Sequence, residues 1–371
     1  MFYFIFFSIA FILTIILVKI FRFLAIKYKI FDDPRIDSQR RIHKKPIPLL
    51  GGPPLFLAFF ISLFLLFVLN KWPTGQISIK NLIGVFLGSA ILVVGGVLDE
   101  KKNLKPVWQL IFSVLAILTV IGFGVGIDQI NNPFGQGFFF LEQTKIEIVK
   151  LAGLPYRFSW PADLITFVWL FVVIYSIKLL AGLDGLVPGV SAIGFLIVAC
   201  FCLFTIFLQP QVAYLAIILL AVSISFLIFN FHPAKIFLGT SGEMFLGLML
   251  GVLAIISGSK IAMLLLILGV PILDLIWVVS RRVLKEKHSP MIADRKHLHF
   301  RLLDFGFSHR GAVIFLWVIS LIFGLIGLLF PETKIKILAL GILILAMIVL
   351  AMIVARRQNL PSDLDKNNKK C

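Results

Sequence analysis

The sequence predicts an all-α polytopic membrane protein. Three observations predict it: the chain is 60% hydrophobic and only 14% charged, about eleven apolar runs are long enough to cross a bilayer, and the basic residues crowd into alternate loops. A soluble domain is about half apolar and a quarter charged. The mean hydropathy of +1.05 agrees. No polar stretch exceeds a large loop, so one integral-membrane domain is expected over residues 1–355, followed by a basic cytoplasmic tail over 356–371.

The first run, residues 3–24, has no basic n-region and no small-residue cleavage site, and its charges Lys19 and Arg22 follow the apolar core. It therefore reads as a retained span with the N-terminus outside, not as a signal peptide. The next runs fall near 48–69, 81–98, 107–125, 163–181, 187–208, 211–230 and 243–258. The last three fall near 260–280, 312–330 and 335–355, the ninth following the turn at Ser257 to Lys260. With the N-terminus outside, the inner face receives 27 of the 35 Lys and Arg residues and the outer face eight, as the positive-inside rule requires. The net charge of +17 thus lies mainly on one membrane face. There it suits anionic membrane lipids and anionic substrates, and no nucleic-acid role is implied.

The longest outer loop runs from about Val125 to Pro161. Its alternation of apolar and polar residues predicts a short outer-face β-hairpin near 138–151, with Phe138, Phe139, Phe140 and Trp160 suited to the interface. The cysteines carry little: Cys200 and Cys202 are two apart and diverge on a helix, Cys371 lies in the tail, and neither a zinc spacing nor a disulfide framework is present.

The polar residues of the inner face fall in five loops. The first holds Asp32, Asp33, Arg40, Arg41 and His43 among five prolines that prevent a continuous helix. These residues would ring a pocket mouth, or serve only to anchor topology. The second ends a span with Asp99 and Glu100, which could bind a metal, accept a proton or pair with Lys101 and Lys102. The third places Asp184 between Gly182 and Gly185 in an apolar context, where an acid needs a partner or a task. The fourth is a Gly-rich turn entering a helix, whose N–H groups could hold phosphate; Gly247 and Gly251 beyond it form a helix-packing face. The fifth, between His288 and Arg310, carries four of the six histidines. His297 and His299 are two apart and diverge on a helix, unlike an H-E-x-x-H zinc face. Arg295, His297, His299 and Arg301 together offer donors to phosphate.

Six segments, HKKPIPLLGG, GVLDEKKNLKP, GLDGLVPG, NFHPAKIFLG, PILDLIWVVSRR and SPMIADRKHLHFRLLDFGFSHR, occur in the order found in the polyprenyl-phosphate N-acetylhexosamine-1-phosphate transferases, glycosyltransferase family 4. The chain resembles that family over nearly its whole length, and the form of its last segment is more similar to the N-acetylglucosamine branch than to the lipid I translocase branch. The resemblance implies transfer of a sugar-1-phosphate from a UDP-sugar to polyprenyl phosphate with release of UMP, in cell-envelope polysaccharide or peptidoglycan precursor synthesis. It also implies a Mg²⁺ cofactor, a bacterial-type plasma (inner) membrane, an active face in the cytoplasm and a homodimer as a candidate assembly.

The roles it implies can be carried over by residue. Asp99 would deprotonate or orient the lipid phosphate. Asp184, with Glu100 and Glu243, would hold the cation. Arg295, His297, His299 and Arg301 would hold the diphosphate or sugar, and Arg40, Arg41 and His43 would sit at the entrance. The chain departs from the family pattern at several of these places: Glu100 follows Asp99 where a second Asp is usual, Ala181 and Thr240 replace expected Asp residues, Tyr175 and Lys178 replace expected Asn residues, and Phe300 replaces a His. Two carboxylates are lost and one ammonium gained. Two readings follow: a transferase with a modified site, in which Lys178 could substitute for the metal as a point charge, and a catalytically inactive relative that binds lipid phosphate or nucleotide sugar as a regulatory or assembly protein. A transporter is disfavoured, because no repeat suggests inverted halves.

Overall fold

The computed structural model describes residues 1–34, 43, 45–75, 77–132, 137–151, 154–205, 208–258, 261–284, 286–287, 297–330 and 332–358. It is the expected all-α membrane architecture. The helices are α1 (Phe2–Lys27), α2 (Gly52–Val68), α3 (Ile79–Lys102), α4 (Pro106–Gly122), α5 (Ala162–Leu179), α6 (Leu186–Phe204) and α7 (Pro210–Asn230). They continue with α8 (Gly239–Ile256), α9 (Ile261–Ile267), α10 (Gly269–Leu284), α11 (Leu298–Asp304), α12 (His309–Leu329) and α13 (Thr333–Gln358). Among the described residues, seven helices are long and apolar enough to cross a membrane, or eight if α9 and α10 count as one broken span.

Local sequence explains where the helices start. Prolines open α2, α4 and α7, positions where a missing N–H costs nothing because it has no partner inside the helix. Ser78 caps α3 by accepting the Asn81 N–H, while the Asn81 side chain accepts the Ser78 N–H. Ser308 caps α12 through the Gly311 N–H at 3.1 Å.

The ninth apolar run departs from the expectation of one span. It divides into α9 and α10, which meet at a bend of 76°. Pro271 supplies the reason: it lies in the first turn of α10 and has no N–H to offer the carbonyl of Ile267.

The segment between α4 and α5 also differs from the single hairpin expected near 138–151. It forms two. β3 (Gln129–Asn131) pairs antiparallel with β4 (Phe138–Phe140), and β5 (Glu142–Leu151) with β6 (Leu154–Pro161). The alternation over 144–151 does mark a strand, but its partner lies downstream, and the Phe138–Phe140 triplet pairs upstream. A further pair, β1 (Phe31–Asp32) with β2 (Ile47–Pro48), closes the loop between α1 and α2.

Helix α8 is the centre of the bundle and packs against α2, α3, α5, α6, α7 and α9. Small residues allow the close approaches. Gly247 and Gly251 face α5, where an added Cβ would come within 2.8 Å of Ile174 Cα and of Leu170 Cδ2. The Trp169 indole donates to the Gly251 carbonyl at 3.1 Å. At the polar end, Gly96 of α3 and Gly52 of α2 both press on the α8 backbone at Ser241, and an added Cβ at either would collide with it.

Gly96→Ala is expected to force α3 and α8 apart and cost about 1–3 kcal/mol, as overpacking usually does. Gly122→Ala, at a position where a Cβ meets nothing, should be neutral. Thermal unfolding of the two variants in detergent checks this; equal midpoints would contradict the packing described.

Candidate active site

The five loops expected on one membrane face converge on one cavity of about 1050 Å³. Residues from all five line it, including Asp32, His43, Asp99, Glu100, Lys178, Asp184, His232, Thr240, Glu243, His297, His299 and His309. Three polar walls can be distinguished.

The acidic wall forms where the end of α3 meets the start of α8. Asp99 accepts the Leu104 N–H at 3.0 Å through Oδ1 and the Thr240 hydroxyl at 2.8 Å through Oδ2. Glu100 Oε1 accepts both the N–H and the hydroxyl of Ser241, at 2.9 and 2.6 Å. Gly239, at φ +70°, leaves room for this carboxylate where any side chain would strike it. Glu100 Oε2 is buried and accepts no hydrogen bond among the described residues. The Glu243 carboxylate interacts electrostatically with the Lys178 ammonium and with the carboxylates of Glu100, Asp99 and Asp32. Lys178 itself donates to the Gln109 amide oxygen and its ammonium lies 5.4 Å from the Tyr175 ring centroid.

The second wall is built on Asp184, in the turn between α5 and α6. Its Oδ2 lies 2.7 Å from His232 Nδ1 and accepts the Ala234 N–H at 3.2 Å. Its own N–H donates to His309 Nε2 at 2.9 Å, and the His232 and His309 rings stack with centroids 4.0 Å apart. The frame around them is cross-linked: Asn230 accepts the Gly185 N–H and donates to the Ile236 carbonyl, while Arg310 donates twice to the His232 carbonyl.

The third wall pairs α10 with the start of α11. Asp274 takes His297 Nδ1 at 2.8 Å on one oxygen and the Leu298 N–H at 3.0 Å on the other. This leaves Nε2 of His297 for a ligand. His299 lies parallel to His297, with centroids 5.6 Å apart. It is buried over Gly182, whose lack of a Cβ makes room for the ring, and neither ring nitrogen has a hydrogen-bond partner among the described residues. Burial pushes its pKa from 6.5 down to about 3, so it meets a ligand as a neutral imidazole, not as a cation.

Of the residues singled out from the sequence, Asp99, Glu100, Lys178, Asp184, Glu243, His43, His297 and His299 reach the cavity. Asp184 and Glu243 line different walls: Asp184 binds imidazole, whereas Glu243 faces the ammonium and the other acids. His43 lies at the mouth, 3.2 Å from the Asp32 carbonyl oxygen. Arg301 sits on α11 outside the lining. Arg40, Arg41 and Arg295 lie outside the described residues. The sequence reading passed over Asp274, His232 and His309. Asp274 carried a usable signal, an acid within the apolar run PILDLIW, since ionisable groups in such runs usually have a task.

The depressed pKa of His299 has a stability consequence. Above about pH 6.5 neither folded nor unfolded chain protonates this ring. Below it the unfolded chain takes a proton that the folded chain refuses until about pH 3, so stability falls across that window. The thermal midpoint should therefore drop on acidification below pH 6.5, and His299→Gln should flatten the slope. An unchanged slope in the variant would count against a neutral His299.

Residues 82–258 match the family described as glycosyl transferase family 4. A Bacillus subtilis protein named "Probable undecaprenyl-phosphate N-acetylglucosaminyl 1-phosphate transferase" is 30% identical over 338 residues, covering 89% of this chain and 85% of that protein. The decaprenyl-phosphate N-acetylglucosaminephosphotransferase of Mycolicibacterium smegmatis is 26% identical, covering 86% of this chain and 80% of its own. A phospho-N-acetylmuramoyl-pentapeptide-transferase of Halalkalibacterium halodurans is 26% identical over 86% of this chain and 94% of its own. The match over 82–258, together with a relative 30% identical over 89% of this chain, places this polytopic chain in glycosyl transferase family 4.

Proposed function

We propose that this protein transfers a sugar-1-phosphate, N-acetylhexosamine-1-phosphate, from a UDP-sugar to a polyprenyl phosphate, releasing UMP, in cell-envelope polysaccharide or peptidoglycan precursor synthesis. The observation that carries the reading is one cavity at the polar end of an apolar bundle, lined by carboxylates, an ammonium and oriented imidazoles. Such a site can receive two anions, one attached to a lipid. The basic bias of the inner loops supports an inner-membrane protein whose cavity opens to the cytoplasm, among anionic headgroups.

In the reaction an oxygen of the lipid phosphate forms a bond to the β-phosphorus of the UDP-sugar. The bridging bond from that phosphorus to the α-phosphate oxygen breaks, and its electron pair leaves on UMP. Positioning and charge neutralisation supply most of the catalysis in such transfers.

The acidic wall fits an oxygen-preferring divalent cation such as Mg²⁺. Asp99, Glu100 and Glu243 against Lys178 carry a formal charge of −2 when all are ionised, and the orphan Glu100 Oε2 is an unused oxygen ligand. Glu100 and Glu243 would hold the ion, which when bound would offset the charge of the two phosphates. Asp99, fixed by Thr240 and the Leu104 N–H, orients the lipid phosphate. Lys178 lends a second positive charge. His297, held through Nδ1 by Asp274, directs Nε2 to the diphosphate or sugar, and neutral His299 supports that ring by stacking.

The test is UMP release from a panel of UDP-sugars with polyprenyl phosphate, with and without EDTA. Turnover should need both substrates and be lost with chelator, and Glu243→Gln should lower kcat by about 100-fold, the scale of removing one transition-state electrostatic contact. Release no faster than a protein-free control overturns the reading in favour of a binding-only relative. Turnover that persists in EDTA and disappears in Lys178→Ala assigns the cation's role to the ammonium. Thr240→Asp, which sets a carboxylate beside Asp99, should raise the affinity for Mg²⁺ in the same assay.

A further inference from the structure

We propose that Asp184, His232 and His309 form a second cation site, for zinc or a chemically similar borderline divalent ion, distinct from the acidic wall. One ligand atom from each of the three residues lies within 4.8 Å of the other two. The set is one carboxylate and two imidazoles. That composition suits a borderline ion, because imidazole nitrogen raises affinity along the first-row series toward copper and zinc, whereas Mg²⁺ prefers oxygen alone. The acidic wall offers only oxygens, so the two clusters differ in the ion they select.

The three ligands come from three distant parts of the chain, and their backbones and side chains are cross-linked by further hydrogen bonds. Asn230 ties the residue after Asp184 to the turn carrying His232. Arg310, next to His309, clamps the His232 carbonyl at 3.0 and 2.8 Å. Ala234 N–H fixes the carboxylate. Such supporting bonds set ligand orientation in metal sites. The ring stacking at 4.0 Å keeps both imidazoles on one side of Asp184. Nδ1 of His309 is buried and has no hydrogen-bond partner among the described residues, so protein contacts leave this ring incompletely satisfied.

The bonds seen among the ligands are those an ion replaces. Binding at these atoms replaces the His232 Nδ1 contact with Asp184, the ring proton then residing on Nε2, and the hydrogen bond from the Asp184 N–H to His309 Nε2. All three residues line the cavity, so three protein ligands leave a coordination position open to it, the arrangement of a site that also takes an exogenous ligand. An anionic oxygen is the ligand chemistry that position would take.

The experiment needs no substrate and therefore stands or falls apart from the transfer reaction. Full-length protein in detergent, with any affinity tag removed, is titrated with Zn²⁺ against a chromophoric competitor, and its zinc shell is read by X-ray absorption. We expect one ion per chain, a shell with two imidazole nitrogens at about 2.0–2.1 Å, and no displacement by excess Mg²⁺. His232→Asn and His309→Asn should each weaken binding at least tenfold, and Glu243→Gln should leave it unchanged. A zinc shell without imidazole, unchanged affinity in both His variants, or displacement by Mg²⁺ would overturn the site. If the variants do not fold, the absorption spectrum of the unmodified protein still decides between an imidazole and an oxygen shell.

Discussion

The contact between α3 and α8 at Gly96 and Ser241 governs the rest of the site. Two helices can meet backbone to backbone only where side chains are absent, and a Cβ on Gly96 would strike Ser241. That approach brings the Ser241 N–H and hydroxyl onto Glu100 and the Thr240 hydroxyl onto Asp99. The acidic wall is thus a consequence of helix packing. It also explains how Thr240 is accommodated where the family resemblance leads one to expect Asp. A carboxylate at 2.8 Å from Asp99 would set two anions side by side, a pairing that cannot stay fully ionised without a cation between. The hydroxyl donates a proton instead and needs no ion at that point.

The cavity distributes its charged groups by pairing. Two carboxylates, Asp184 and Asp274, each hold a histidine through Nδ1. Two others, Asp99 and Glu100, are held by hydroxyl and amide donors from the start of α8 and the end of α3. Polar groups in an apolar bundle are tolerated only when so satisfied. The pairing also sets ring orientation, which links packing to chemistry: His297, bound at Nδ1 by Asp274, has Nε2 left for a substrate. His299 is the exception. It is buried, has no hydrogen-bond partner among the described residues and is neutral, and its contribution is shape and ring contact more than charge.

Much of this was legible in the sequence. Apolar runs of about twenty residues can only be satisfied as helices in lipid, so all eleven fall on helical segments. Charge bias grouped the five polar loops on one side, and those loops supply the cavity. Asp99, Glu100, Asp184 and Lys178 stood out because ionisable groups are rare in such a chain. The bend at Leu268 and the second hairpin were not foreseen. A length criterion does not weigh the single missing N–H of Pro271, and alternation identifies a strand without naming its partner.

The sequence by itself determined the class of fold and the family, because these depend on local hydropathy and on motifs read along the chain. Only the tertiary structure decided which acid serves which partner. Asp184 and His232 are 48 residues apart, Asp184 and His309 are 125 apart, and Asp99 and Thr240 are 141 apart. Such pairs are created when glycines let helices approach closely, and no periodicity along the chain records which helix will be the neighbour.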